Sequence, residues 1–232
     1  MKKLLVLIAA LFIAGGSLVA GDFYNGDIQI QLGYATNKAN IEDVDKSVDS
    51  KEFDFGLETY HFFKPLDMLG VGFMGGFDVG VGKTENWKDI YGIDSDISYE
   101  DGLSVSLNVD IGPAVALYLG NIVRFAFNIG YTSGWKFDTP SAYTVDSKYI
   151  SGNGYTTVQA SYNGFALGLQ AKFLPNCKVN PVVGWRMVKG FADSVDYVTS
   201  TPGSSGRYDD GTLDQKFDLT QNVIYAALSF SW

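Results

Sequence analysis

In several segments of this chain, apolar side chains alternate with small or polar ones, and a few charged residues lie among the small or polar ones. Glu58, Asp78, Asp110 and Arg186 lie on the small, polar side of their segments, at similar depth from one end. Charges held away from bulk water need partners. The spacing therefore predicts an internal ion-pair network centred on Arg186, with Glu58, Asp78 or Asp110 as its partner. The full set of predicted inward charges is Glu58, Asp78, Asp110, Arg124, Lys172 and Arg186.

Catalytic chemistry has few candidate residues in this chain. It contains one histidine, His61, and one cysteine, Cys177, whereas a nucleophilic serine or cysteine needs a positioned base such as histidine. His61 shares the parity of the apolar side chains of its segment, which places it away from the polar side. A single cysteine excludes an intrachain disulfide, and Cys177 suits a short turn. We therefore predict no enzyme, no catalytic residue and no cofactor.

Acidic residues also cluster between the alternating segments. The clusters are Asp43-Val44-Asp45, Asp94-Ser95-Asp96 and Tyr208-Asp209-Asp210-Gly211. Divalent cations prefer several oxygen ligands, but none of the clusters has the full spacing of an EF-hand loop. We therefore expect solvated loops and no metal site.

Eight segments of alternating side chains must position the inward charges, and a period of two residues is typical of strands. They cover approximately 27–34, 53–63, 71–81, 103–111, 123–131, 165–173, 179–187 and 224–232. Pro113, just after the fourth segment, predicts a bulge or bend. Long connections (36–52, 82–102, 132–154, 190–218) alternate with short ones (64–69, Gly120-Asn121, 174–178). In an up-and-down sheet, this alternation puts every long loop at one end.

The composition of the two strand faces indicates which of them points outward. One face is bulky and almost free of charge, and the other is built of Gly, Ser, Ala, Gln and Asn with few ionised groups. A surface in water would be dense in Lys and Glu, whereas small residues suit the interior of an eight-stranded barrel. We predict an all-β, eight-stranded antiparallel up-and-down transmembrane β-barrel, with long extracellular loops and short periplasmic turns. A soluble lipocalin-like binder is the alternative fold.

Aromatic residues concentrate near the ends of the segments, which favours the membrane interpretation over general strand preference. Membrane barrels carry two aromatic girdles, one at each interface. The predicted girdle at the short turns comprises Phe62, Phe63, Tyr118, Phe173, Phe230 and Trp232, and the other comprises Tyr34, Phe53, Tyr99, Tyr131, Trp135 and Tyr155.

The first twenty residues have the pattern of an export signal. Two lysines follow Met1, an apolar run extends from Leu4 to Ala14, and small residues lead to a cleavage site after Ala20. The apolar run is too short to span a membrane. We therefore predict a signal peptide over 1–20 and a single barrel domain over 21–232. The formal net charge of −9 disfavours nucleic-acid binding, which needs a positive footprint.

The last strand carries a resemblance to a known group. Ile224, Ala226, Leu228, Phe230 and Trp232 alternate and end on an aromatic residue. Together with the eight segments, this resembles the small eight-stranded outer-membrane barrels of the OmpW, OmpX and OmpA-domain types, among which OmpW is favoured. The stretch from Lys178 to Trp185 is similar to the "PYVGxG" strand opening of these families, with Val182 in place of Tyr. The resemblance implies that Ile224, Leu228, Phe230 and Trp232 form a signal read by the barrel-assembly machinery.

The function implied by the OmpW resemblance is a minor channel or conduit for small, hydrophobic solutes in the outer membrane. The alternative is a surface-exposed barrel without transport, which binds host ligands through its loops as an adhesin or supports the envelope. The inward charges would be a gate under the first function and a structural plug under the second, and filled small barrels favour the plug. Expected partners are outer-membrane lipid, the assembly machinery, and small hydrophobic solutes or host ligands. We expect a monomer.

Overall fold

A computed structural model describes residues 24–42, 47–85, 97–144, 153–200 and 208–232. The predicted signal peptide lies outside these ranges. The strands are β1 Tyr24–Ile41, β2 Val48–Leu66, β3 Leu69–Glu85, β4 Ile97–Leu119, β5 Val123–Thr144, β6 Asn153–Phe173, β7 Val179–Ala192, β8 Val195–Ser200, β9 Tyr208–Leu213 and β10 Phe217–Ser231. Within the described ranges, no helix is long and apolar enough to cross a membrane.

Eight of the strands close into a ring of antiparallel neighbours. Its order is β5-β4-β3-β2-β1-β10-β7-β6, and a further pairing of β5 with β6 completes the circle. Strand β8 continues along the edge of β6 beyond the end of β7 and pairs with β9. The eight-stranded antiparallel barrel predicted from the sequence is thus confirmed.

The strands are staggered as they circle the barrel. A path through directly paired residues leaves β1 at Ile28 and returns to the same strand at Lys38, ten residues further along the chain. The residues on this path are, in order, Ile28, Thr59, Gly75, Ile111, Tyr131, Phe165, Lys189, Thr220 and Lys38. A displacement of this size requires the strands to tilt from the barrel axis, by about 35–45°.

The strands extend well into the regions predicted as long connections, so these predicted boundaries are wrong. The connection assigned to 36–52 is strand up to Ile41 and again from Val48. Inward residues such as Ala35, Asn37 and Ala39 still alternate with exposed ones here, but the outward residues are polar. The contrast between faces disappears although the strand continues. The acidic clusters 43–45 and 94–96 lie outside the described residues, and the backbone of the third forms part of β9.

Pro113 does not produce the predicted bulge. The pairs Ile111–Tyr131 and Ala114–Asn128 have the same register, so β4 continues unshifted past the proline and only two pairings with β5 are missing. Pro113 remains aligned with Phe73 on its other side. Loss of one backbone donor therefore interrupts the ladder locally without displacing it. The register shift between β4 and β5 lies instead between Glu100 and Leu103.

Tight turns join the strands at one end of the barrel, here called the turn end. The turn after β4 contains Gly120, whose φ of 59° is readily adopted by glycine. Cys177 is exposed in the turn between β6 and β7. The opposite end, where β1 ends at Ile41 and β3 ends at Glu85, is called the loop end.

Candidate functional site in the barrel interior

The outer wall of the barrel is an apolar belt. On β1, Ile30 is 44% and Leu32 67% exposed, and Phe127 on β5 is 50% exposed. Polar residues replace them towards the loop end, for example Thr36 and Lys38 on β1. A continuous exposed apolar band of this kind fits lipid and not water. Other exposed members are Phe55, Phe77, Val109, Ile111, Val115, Leu117, Phe125, Ile129, Phe165, Leu169, Val183, Ile224 and Leu228.

Two of the aromatic residues assigned to the girdle at the short turns point inward, so that part of the prediction is wrong. Phe62 and Tyr118 are buried, because neighbouring residues of a strand face opposite sides and these two have inward parity. Their apolar cluster fills the turn end and comprises Tyr60, Phe62, Met74, Ala114, Ala116, Tyr118 and Ala126. Exposed aromatic residues of the two predicted girdles are Phe63, Phe173, Phe230, Trp232, Tyr34, Phe53 and Tyr131. The side chains of Tyr99 and Tyr155 lie outside the described set.

Arg186 on β7 lies at the centre of the barrel interior, surrounded by four carboxyl groups that we call the central cluster. Its Nη2 atom is 2.7 Å from Asp78 Oδ2 and 3.8 Å from Asp54 Oδ2. Its Nη1 atom is 3.5 Å from Glu58 Oε1 and 3.4 Å from Asp110 Oδ2. All five residues are buried. The structure thus brings together Arg186, Glu58, Asp78 and Asp110, and adds Asp54, whose inward parity was visible in the sequence.

Arg124 and Lys172 do not join the central cluster, although the sequence grouped them with it. Both bind Asp27 near the turn end, at 2.5 Å for Arg124 Nη1 and 2.9 Å for Lys172 Nζ. Lys172 also donates to Ser231 Oγ at 2.6 Å. Asp27 accepts a further hydrogen bond from Gln29. Asp27 was missed because it begins the first alternating segment, although its parity matches that of Gln29 and Gln31.

A third group of charges lies nearer the loop end. Lys136 on β5 forms buried ion pairs with Glu52 on β2 and with Asp138, the latter at 3.3 Å. Ser104 donates to Asp138 at 2.6 Å, and Ser106 donates to Glu52 at 2.5 Å. Sequence reasoning missed these charges because it placed them in long connections. Their continued alternation with outward residues was the available signal.

Hydrogen bonds connect the central cluster with the charges near the loop end. Asn108 donates from Nδ2 to Asp78 at 2.8 Å and to Gln221 at 2.9 Å. Gln221 donates to Ser106 at 3.2 Å, and Ser106 donates to Glu52. Tyr162 donates to the Oδ1 atom of Asn108. Polar contacts therefore run along the barrel axis from Arg186 to Lys136.

The described interior is packed from one end to the other. Arg124, Asp78, Asn108 and Lys136 are at most 2% exposed, although they lie at different heights. An apolar cluster fills part of the loop end, with members Ala39, Ile41, Val48, Val158, Ala160, Tyr162, Ala166, Val188, Val195, Phe217 and Leu219. Side chains lining a water-filled pore would be exposed to solvent. The side chains described here leave no such path along the axis.

His61 lies on the outer wall near the turn end and is buried there by its neighbours. Its ring stacks on Phe73 with centroids 4.8 Å apart and meets Trp232 edge-on at 6.2 Å. Thr59 and Tyr24 contact its two ring nitrogens. The strand wall separates it from the interior charges. Across the described residues, no group of three or more acidic, histidine or cysteine side chains is placed to hold a metal ion.

Two ion pairs lie beyond the apolar belt, towards the loop end. Lys216 donates to Glu42 through its Nζ atom at 3.1 Å and also through its backbone N–H. These hydrogen bonds lower the pKa of Glu42. Lys51 lies 2.7 Å from Glu85, and this hydrogen bond raises the pKa of the Lys51 ammonium. Both pairs are exposed, so they add little to stability.

Comparison with known proteins gives a likeness in structure alone. No protein-family model matches the sequence, and no curated protein sequence matches it. A major outer membrane protein of Thermus thermophilus is similar with a TM-score of 0.51 and 10% identity, over 89% of this chain and 99% of that one. Ail of Yersinia pestis has a TM-score of 0.43 and 16% identity, over 88% and 99%. AlkL has a TM-score of 0.40 and 10% identity, over 93% and 94%.

At such low identity the likeness establishes the fold alone. This chain has the fold of the small outer-membrane β-barrels, as the alternating segments predicted. The resemblance to OmpW in particular stays a prediction.

Proposed function

We propose that the protein is an integral outer-membrane barrel with a closed interior, which anchors the segments at its loop end for contact with ligands outside the cell. The observation that carries this proposal is the packing of the interior around Arg186. The proposal corresponds to the alternative in which the inward charges form a structural plug. The acidic segments that connect β1 to β2 and β3 to β4 in the sequence would then be the surface available to partners.

The energetics of the central cluster support a permanent plug. A pore past Arg186 would require its side chain to leave Asp78, Asp110 and Glu58, all within 3.5 Å of it. Leaving one member of a buried ion pair without its partner costs about 3–5 kcal/mol. The Asp27 pairs and the Lys136 pairs would have to open in the same event. Because three groups of buried ion pairs would have to open together, the energetic cost favours a closed barrel over a gate.

Transport of a small hydrophobic solute, which the OmpW resemblance implies, is the second candidate. It is favoured by the apolar cluster inside the loop end, which includes Val158, Val188 and Leu219. A solute leaving water would meet these side chains first. Further passage would have to run through the wall into lipid, since the central cluster lies beneath.

Conductance in planar bilayers distinguishes a closed barrel from an open one. Folded protein, verified by heat-dependent mobility in gels, should give no single-channel steps above the background of protein-free membranes. A general porin provides the positive control. Steps that scale with the amount of folded protein would overturn the closed-barrel proposal. Uptake of a small apolar dye by liposomes containing the folded barrel addresses the second candidate, and an uptake rate equal to that of empty liposomes would count against it.

A further inference from the structure

The central cluster contains more acid than base. Arg186 is within 4 Å of four carboxyl groups, so full ionisation would leave three negative charges uncompensated. The neighbouring cations do not supply the balance, because Arg124 and Lys172 bind Asp27, and Lys136 binds Glu52 and Asp138. Isolated buried charges are so unfavourable that such groups commonly take up protons instead.

Asp54 is the member of the cluster whose ionised form is supported least. Its side chain is fully buried, and neither of its oxygens accepts a hydrogen bond from the described residues. Arg186 Nη2 is 3.8 Å away, beyond hydrogen-bond distance, while it approaches Asp78 at 2.7 Å. Asp54 and Asp78 are diagonal neighbours on the inward face of β2 and β3, because Asp54 pairs with Gly80 and Asp78 pairs with Gly56.

We propose that the central cluster holds a proton on Asp54 at neutral pH. The protonated Asp54 is neutral, while Asp78 keeps its ion pair with Arg186 at 2.7 Å. Two carboxyl groups sharing a site do not both ionise readily, and the bound proton relieves their repulsion. The other charged and titratable groups in or beside the central cluster are Glu52 and Glu58 from β2, Asp110 from β4, Tyr162 from β6, Arg186 from β7 and Tyr225 from β10.

Infrared spectroscopy of the folded barrel tests this proposal directly. A protonated carboxyl group has a carbonyl stretch above the amide I band that shifts in heavy water, and the wild-type protein should show it at neutral pH. Asp54→Asn should remove that band. Asp218→Asn is the matched control, since Asp218 is a partly exposed carboxylate paired with Lys189, and it should leave the band unchanged. Absence of the band from the wild type, or its persistence in Asp54→Asn, would overturn the proposal.

The folding yield of the same variant is a second readout. Asparagine has the shape and neutrality of a protonated aspartic acid, so Asp54→Asn should fold into detergent micelles as well as the wild type. A loss of folding yield in Asp54→Asn, with Asp218→Asn unaffected, would show that the cluster needs an ionised carboxylate at this position. That result would contradict the proposal that Asp54 is protonated.

Discussion

The indole ring of Trp232 covers the backbone of Gly26 on the outer wall, and the Cβ atom that Gly26 lacks would lie 2.7 Å from the indole Nε1 atom. The two backbones are also bonded, because Trp232 N–H donates to the Gly26 carbonyl at 3.1 Å. This pair extends the seam between β1 and β10 by one step. It also places the indole against His61, which is buried beneath it.

Trp232→Ala should lower the folding yield and destabilise the barrel by about 1–3 kcal/mol, because it uncovers Gly26 and His61. Gly26→Ala should displace the indole and therefore also destabilise the barrel. In the double variant the cost of Gly26→Ala should fall, since the indole is no longer there to be displaced. Urea unfolding followed by gel mobility measures all three variants. Strictly additive costs would contradict the packing of Trp232 on Gly26.

Phe62 and Phe63 form a matched pair, because they are adjacent in sequence and face opposite sides of the wall. Phe62→Ala should cost about 3–5 kcal/mol, as expected for a cavity in a packed core, and removes the ring over which Arg124 lies at 4.9 Å. Phe63→Ala, on the lipid side, should cost about 0.5 kcal/mol. The free energies of unfolding of the two variants, measured in the same detergent, give the two costs. Equal costs would mean that Phe62 does not fill the interior.

Arg186→Gln should destabilise the barrel by about 3–5 kcal/mol, because it leaves the carboxyl groups of the central cluster without a cation. Lowering the pH should restore part of this loss, since protonation then neutralises them. Lys189→Gln is the control: it breaks the partly exposed pair with Asp218, which is worth about 0–1 kcal/mol. Unfolding curves at several pH values would show the difference. Similar losses in both variants would place Arg186 in a solvated site.

Labelling of cysteines on intact cells tests the orientation in the membrane. Cys177, in a turn at the turn end, should react with a membrane-impermeant maleimide after lysis only. In a Cys177→Ser background, Asp196→Cys at the exposed start of β8 should react on intact cells. The reverse pattern would place the turn end outside the cell and overturn the proposed presentation of the loop end.

Strand parity was enough to place Glu58, Asp78, Asp110 and Arg186 in the interior, because a period of two residues assigns each of them to a face. It did not identify the partners. Arg124 binds Asp27 across the barrel, and this contact depends on the stagger between strands when the ring closes. The sequence of a single segment does not determine that stagger. Lys136 was not predicted to point inward, for a different reason. Beyond the lipid, outward residues are as polar as inward ones, so the apolar alternation that identifies a strand is no longer visible in the sequence.

The ten-residue stagger of the closed ring also determines where the chain can change length during evolution. A residue inserted within β4 would shift its pairing with both β3 and β5 and turn the following inward side chains towards lipid. No free edge exists in the ring where such a shift could be absorbed. Segments that join strands outside the ring are under no such constraint. Variation in length should therefore accumulate between the strands, while each strand keeps its count of residues.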